Sequence, residues 1–144
     1  MRESIEIAVL LIAGPMVGVE IAVAVFTHPV IGRLPDDAFR QARSDDSRVL
    51  GKVMPFWYIT TLALLIVAAV VTWQNWLIIA AAAVLALVVL MTVTLMVPIN
   101  NRIGRWSAPA DTDRDDARLW DRLHWRRVFL LVAMLVLLTV GLTV

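Results

Sequence analysis

The sequence predicts an all-α membrane protein that forms a single domain, a four-transmembrane-helix bundle over residues 1–144. Of its 144 residues 60% are hydrophobic, with a mean hydropathy of +0.81, whereas soluble domains are about 45–50% apolar. The apolar residues fall into four blocks, each close to the roughly 20 residues that a bilayer crossing needs. The basic residues cluster between these blocks.

The predicted spans are about residues 5–27, 55–73, 76–97 and 128–144. The first is unlike a cleavable signal peptide, because it is long and is interrupted by Glu20. The second and third are joined by two residues, which predicts a tight antiparallel hairpin. We find no internal repeat in the sequence, so we expect one domain.

The charge distribution predicts the orientation in the cell membrane. Of the 13 Lys and Arg residues, five lie in loop 28–54 and seven in loop 98–127. With four spans, these two loops share one side of the membrane. The positive-inside rule predicts that both are cytoplasmic and that both termini are outside.

The second of these loops ends in a predicted helix that starts near Thr112 and continues into the fourth span. Acidic residues at its start suit the helix dipole. Asp116, Trp120, His124 and Arg127 follow at intervals of four, four and three residues, so they should share one face.

Glu20 lies inside the first span, where a charge costs about 2.5–3.5 kcal/mol on insertion scales. It should therefore face the protein interior or water. Gly14 and Gly18 form a small-xxx-small ridge that predicts close helix packing near Glu20.

Every predicted span brings a polar group to the cytoplasmic end of the bundle. Pro29 should end the first helix at His28. Tyr58 begins the second span, Asn100 follows the third, and His124 precedes the fourth. Both histidines are therefore expected at the mouth of the bundle.

The chain resembles the anthrone oxygenase-like family of small four-pass membrane proteins, many of which have no assigned function. The resemblance lies in four stretches in order. They are Glu20 with "HP" after the first span, "MP" entering the second, "PINNRI" after the third, and the "W-x-x-L-H-x-x-R" pattern of residues 120–127.

This resemblance implies that an anthrone is oxidised to an anthraquinone with molecular oxygen. The substrate is a flat lipophilic molecule, which we expect to enter the bundle from the bilayer. In this hypothesis His124 is the base, and Asn100 and Arg127 stabilise the enolate. Trp120 and Tyr58 are the predicted substrate contacts.

A metal-dependent mechanism is an alternative, and the sequence leaves open whether any cofactor is needed. His28, His124 and Glu20 resemble in type the two-histidine, one-carboxylate site of iron enzymes, and copper is the other metal considered. The expected depth of Glu20, more than a helical turn below both histidines, argues against this site.

Two other functions are open at this point. A small proton-coupled transporter of lipophilic compounds would use Glu20 as its proton carrier. A structural or assembly protein would bind anionic lipid through its basic loops. The protein could form an oligomer in either of these two functions. Nucleic-acid binding is not expected, because aspartates alternate with the basic residues, and the absence of cysteine excludes thiolate chemistry.

Overall fold

The first two helices form an antiparallel pair. The computed structural model describes residues 2–144, and every regular element in that range is helical. Helix α1 consists of an α-helical part, Arg2–Ala22, a π-helical turn, Val23–Thr27, and an α-helical end, His28–Ile31. Helix α2 covers Asp36–Val71.

The last two helices repeat this arrangement. Helix α3 consists of Trp76–Met91, a π-helical turn, Thr92–Met96, and Val97–Ile103. A 3-10 turn, Pro109–Asp111, precedes helix α4, Arg114–Thr143. All four helices are long and apolar enough to cross a membrane. The chain is therefore an all-helical, multi-pass membrane protein, which confirms the predicted fold class.

The helices pack as a four-membered ring, in which α1 and α3 each contact both α2 and α4. The bundle centre is apolar and fully buried, with Leu65, Leu85, Leu131 and Met134 among its residues. The predicted hairpin is present, because only residues 72–75 separate α2 from α3. We call this the hairpin end and the opposite end the polar end.

The polar end extends beyond the predicted spans. At 1.5 Å per residue, the 36 residues of α2 cover about 54 Å, whereas the hydrocarbon core of a bilayer is about 30 Å thick. The charged first half of α2 therefore has to lie outside that core. The first turns of α4 lie beside this part of α2. Asp113 caps α4 by accepting hydrogen bonds from the backbone amides of Asp115 and Asp116.

The prediction that Pro29 ends the first helix is wrong, since α1 continues to Ile31. Pro29 and Pro98 are each the second residue after a π-helical turn. Proline lacks an amide hydrogen, and its ring clashes with the carbonyl four residues earlier. A wider π turn relieves this conflict, so the helix continues through the proline.

The two hairpins share a short local pattern. The stretch "DDSRVLGK" at 45–52 in α2 resembles "DDARLWDR" at 115–122 in α4. At matching positions, the carbonyls of Ser47 and Ala117 each accept a side-chain hydrogen bond from the opposite hairpin.

The predicted packing role of Gly14 and Gly18 within the bundle is wrong. A Cβ atom added at either position would meet nothing within 4 Å. Gly18 is exposed. The small-residue ridge therefore lies on the outside of the bundle.

Candidate functional site

The side chain of Glu20 is buried in the bundle and paired with groups from two other helices. Glu20 is 2% exposed. Its Oε1 accepts a hydrogen bond of 2.7 Å from the Tyr58 hydroxyl on α2, and its Oε2 accepts one of 2.8 Å from Arg127 Nη2 on α4. A carboxylate this deep needs such a partner, because an unpaired buried charge is strongly destabilising.

His124 completes this cluster and is itself only 1% exposed. Its Nε2 lies 3.0 Å from the backbone carbonyl of Glu20, which can only accept a hydrogen bond. This contact assigns the proton to Nε2 and leaves the lone pair on Nδ1. Nδ1 lies 2.9 Å from Arg127 Nη2 and 3.2 Å from Glu20 Oε2.

Two sequence-based expectations about His124 are therefore wrong. It lies inside the bundle rather than at its mouth, and it touches Glu20 instead of lying more than a helical turn above it. The cause is the vertical offset of α4 against α1, which hydropathy does not reveal. The predicted shared face of α4 is confirmed, since Trp120, His124 and Arg127 are all buried on it.

Trp120 packs flat against His124, with ring centroids 4.8 Å apart and an interplanar angle of 17°. Its buried indole Nε1 has no hydrogen-bond partner among residues 2–144. The same is true of Arg127 Nε. Buried donors are usually satisfied, so these two groups are available to a ligand.

These side chains line a cavity of about 170 Å³ between α2 and α3. Its inner wall carries six polar or aromatic residues that the sequence analysis had selected: Glu20, Tyr58, Asn100, Trp120, His124 and Arg127. Its rim consists of exposed residues spaced four apart on each helix: Gly51, Pro55, Ile59, Val93, Val97 and Asn101. The cavity therefore opens sideways, between two membrane-spanning helices.

Asn100 is partly committed to holding α2 and α3 together. Its Nδ2 donates a 3.0 Å hydrogen bond to the Ser47 carbonyl. An amide nitrogen carries two hydrogens, so one remains for a ligand. A Cβ atom added at the facing Gly51 would lie 2.9 Å from Nδ2 of Asn100. The side chain of Asn100 therefore packs directly against the backbone of Gly51 at the rim of the cavity.

His28 lies apart from the lateral cavity and does not join a metal centre. Its Nε2 and Nδ1 lie 3.0 and 3.1 Å from carboxylate oxygens of Asp46 and Asp121. Within residues 2–144, no three His, Asp or Glu side chains are grouped so as to hold a metal ion. The donor atoms of His28, His124 and Glu20 face protein partners, so they do not fit the considered iron or copper site.

Sequence reasoning missed the residues that fix His28. Asp46 lies on α2 and Asp121 lies on α4. Asp121 also pairs with Arg43, which lies on α2. The one available signal was the position of Asp121, three residues before His124 on the same helix face. Both contacts join residues far apart in sequence, and no local pattern predicts them.

Residues 47–137, more than half of the chain, match the model of a family described as anthrone oxygenase. The chain belongs to this family. The matched region of the anthrone oxygenase family contains five of the six selected cavity residues, whereas the sixth, Glu20, and also His28 lie before it. No curated protein and no solved structure matches the chain.

Proposed function

We propose that this member of the anthrone oxygenase family is a membrane enzyme that oxidises a lipophilic, enolisable aromatic ketone of the anthrone class with molecular oxygen. The observation that carries the proposal is the buried cluster of Glu20, His124 and Arg127 at a cavity that opens toward lipid. Such a cluster combines a proton acceptor with a fixed positive charge in a buried site.

The chemistry requires no reductant. The ring methylene opposite the ketone loses a proton, which gives an enolate, and oxygen adds to that carbon as a hydroperoxide. Loss of the second C–H proton with cleavage of the O–O bond then forms the new carbonyl. One ketone and one O₂ give one quinone and one water.

His124 is the proposed base, acting through Nδ1. The Nε2 hydrogen bond to the Glu20 carbonyl holds the ring with its lone pair on Nδ1. Glu20 Oε2, 3.2 Å away, stabilises the imidazolium that forms. For this step Arg127 has to release Nδ1, and we propose that the substrate oxygen takes over its N–H group.

Arg127 then stabilises the enolate oxygen, since donors aimed at developing negative charge are worth most in a dry site. Its unpaired Nε, the unpaired Nε1 of Trp120 and the free N–H of Asn100 are the proposed donors. Tyr58 holds Glu20 in place and presents its ring to the cavity.

The size of the cavity restricts how a substrate binds. An engineered cavity of about 150 Å³ takes one benzene ring, so the present cavity of about 170 Å³ holds one ring of a polycyclic substrate. We propose that the other rings lie in the lateral opening, against Ile59 and Val93. A single-ring substrate with the same enolisable ketone would be enclosed entirely.

The test is oxygen uptake and quinone absorbance with purified protein and a simple anthrone in nanodiscs. His124→Gln should lower turnover by about 10²–10⁴-fold, the usual contribution of a general base. Arg127→Gln should also be impaired, whereas its exposed neighbour variant Arg126→Gln should match the wild type. A chelator should leave turnover unchanged.

Each opposite result has a distinct meaning. Full activity in His124→Gln removes His124 as the base. No wild-type turnover above the spontaneous rate removes the anthrone class. Glu20-dependent uptake of unchanged compound into vesicles would support the transporter instead, and a cellular function that survives replacement of both histidines would support the structural role.

For orientation, we propose that loops 28–54 and 98–127 face the cytoplasm, since they hold 12 of the 13 basic residues. Membrane lipid is then the partner of these loops. Protease cleavage of sealed inverted vesicles within loop 98–127 supports this orientation, and cleavage only in intact spheroplasts contradicts it.

A further inference from the structure

A second cavity, of about 250 Å³, lies between α1 and α4 toward the polar end. Ala24 and His28 from α1 and Asp121 and Trp125 from α4 line it. His124 lines both this cavity and the lateral one. The imidazole ring of His124 therefore stands between the two cavities.

One side of the second cavity carries polar side chains and reaches the surface. Asp121 has 38% of its side chain exposed and lies 3.1 Å from His28. The ring centroids of His28 and His124 are 5.6 Å apart. Polar side chains thus continue from the protein surface to the buried histidine.

Ionic partners from α2 hold this wall in place. Asp46 pairs with His28, and Arg43 pairs with Asp121. On its other side, His124 faces Glu20 and Arg127. The second cavity is therefore polar on the side of His28 and is framed by fixed charges.

We propose that the second cavity is a water port, which connects His124 with the aqueous phase at the polar end. A buried water needs roughly 10–15 Å³ of cavity and two to four polar partners. The second cavity is many times larger, and His28 and Asp121 supply partners. The lateral cavity, in contrast, opens onto apolar helix surfaces.

The function of the port follows from the products of the reaction. Oxygenation to a quinone releases one water per turnover, which has no favourable path into lipid. The port brings the aqueous phase to the face of His124 opposite the substrate, one imidazole ring away from where this water forms. This role rests on the proposed oxygenation, whereas the access of water to the cavity does not.

The natural absence of cysteine makes a direct test simple. Ala24→Cys places one thiol in the second cavity, where Ala24 is 3% exposed. Phe26→Cys lies in the same π turn but on the outer surface, with Phe26 66% exposed. Ala13→Cys, in the fully buried core, is the second control.

Each variant in nanodiscs is treated with a cationic, membrane-impermeant thiosulfonate. The thiolate attacks the sulfenyl sulfur of this reagent, which forms a disulfide and releases a sulfinate, and the thiolate forms only where water is present. Ala24→Cys should react at least about ten times faster than both controls. If all three react equally slowly when folded, yet completely after SDS unfolding, no water reaches the cavity and the proposal is wrong.

The labelling does not depend on turnover. Fast labelling of Ala24→Cys without anthrone oxidation would support the water port and refute the proposed function. Anthrone oxidation with slow labelling would refute the port and support the proposed function. The two proposals therefore fail separately.

Discussion

The buried ion pair between Glu20 and Arg127 makes the bundle sensitive to the loss of either partner alone. The two side chains are 2% and 7% exposed, and their charged atoms are 2.8 Å apart. At that separation and an effective dielectric constant of about 20, the attraction is roughly 6 kcal/mol. Desolvation of both groups offsets most of it, so the net value of the pair is small.

Removing one partner has a much larger effect than removing both. Arg127→Met leaves the Glu20 carboxylate buried without its cation, and we expect a loss of about 3–5 kcal/mol in the free energy of unfolding. The double variant Glu20→Gln/Arg127→Met replaces both charges and should recover most of that loss. Arg126→Met, at the exposed neighbouring position, should change stability by less than about 0.5 kcal/mol.

Reversible SDS unfolding in mixed micelles, followed by tryptophan fluorescence, measures the free energies of the wild type, of these three variants and of the single variant Glu20→Gln. The double-mutant cycle then gives the coupling between the two residues. A double variant as unstable as Arg127→Met alone would refute the reasoning. It would mean that the lost packing of the Arg127 side chain, rather than the unpaired buried carboxylate of Glu20, causes the destabilisation.

Three further predictions test other parts of the structure. Tyr58→Phe removes a donor to the buried carboxylate and should lower the free energy of SDS unfolding by about 1.5–3 kcal/mol. Gly51→Ala should push Asn100 into the lateral cavity and slow turnover with little loss of stability, whereas Gly18→Ala, which meets nothing, should change neither. Backbone hydrogen bonds from Ala108 and Ser107 hold the pKa of Asp111 below its ordinary 3.8. Its support of the 107–111 turn is therefore complete above that pH and is lost as the pH falls through the lowered pKa. Amide exchange of Ser107 should quicken only in that acidic range.

The fold could be predicted because hydropathy and length suffice to place membrane helices. The faces of these helices were harder to assign. A helix in lipid is apolar all round, so periodicity does not tell which side faces the bundle. That is why Gly14 and Gly18 were placed inside although they lie outside. On the more polar start of α4, where periodicity is informative, the face that contains Trp120 and His124 was predicted correctly.

The site was predicted as a set of residues but not as an arrangement. Tyr58 and His124 were selected as polar groups at one end of the predicted spans, and the family resemblance added Arg127. The structure places all three around one cavity. Their contacts with Glu20 depend on the offset between α1 and α4, which local sequence does not encode. The π turns add to the difficulty, because each changes the rotation of every residue that follows it.

The sideways opening of the lateral cavity has a consequence for kinetics. A substrate that enters between α2 and α3 is dissolved in the membrane, so its relevant concentration is its mole fraction in lipid. Adding empty lipid or detergent at a fixed total amount of substrate should then slow turnover by dilution in two dimensions. A Michaelis constant expressed per volume of buffer would vary with every preparation, whereas one expressed per lipid would be constant.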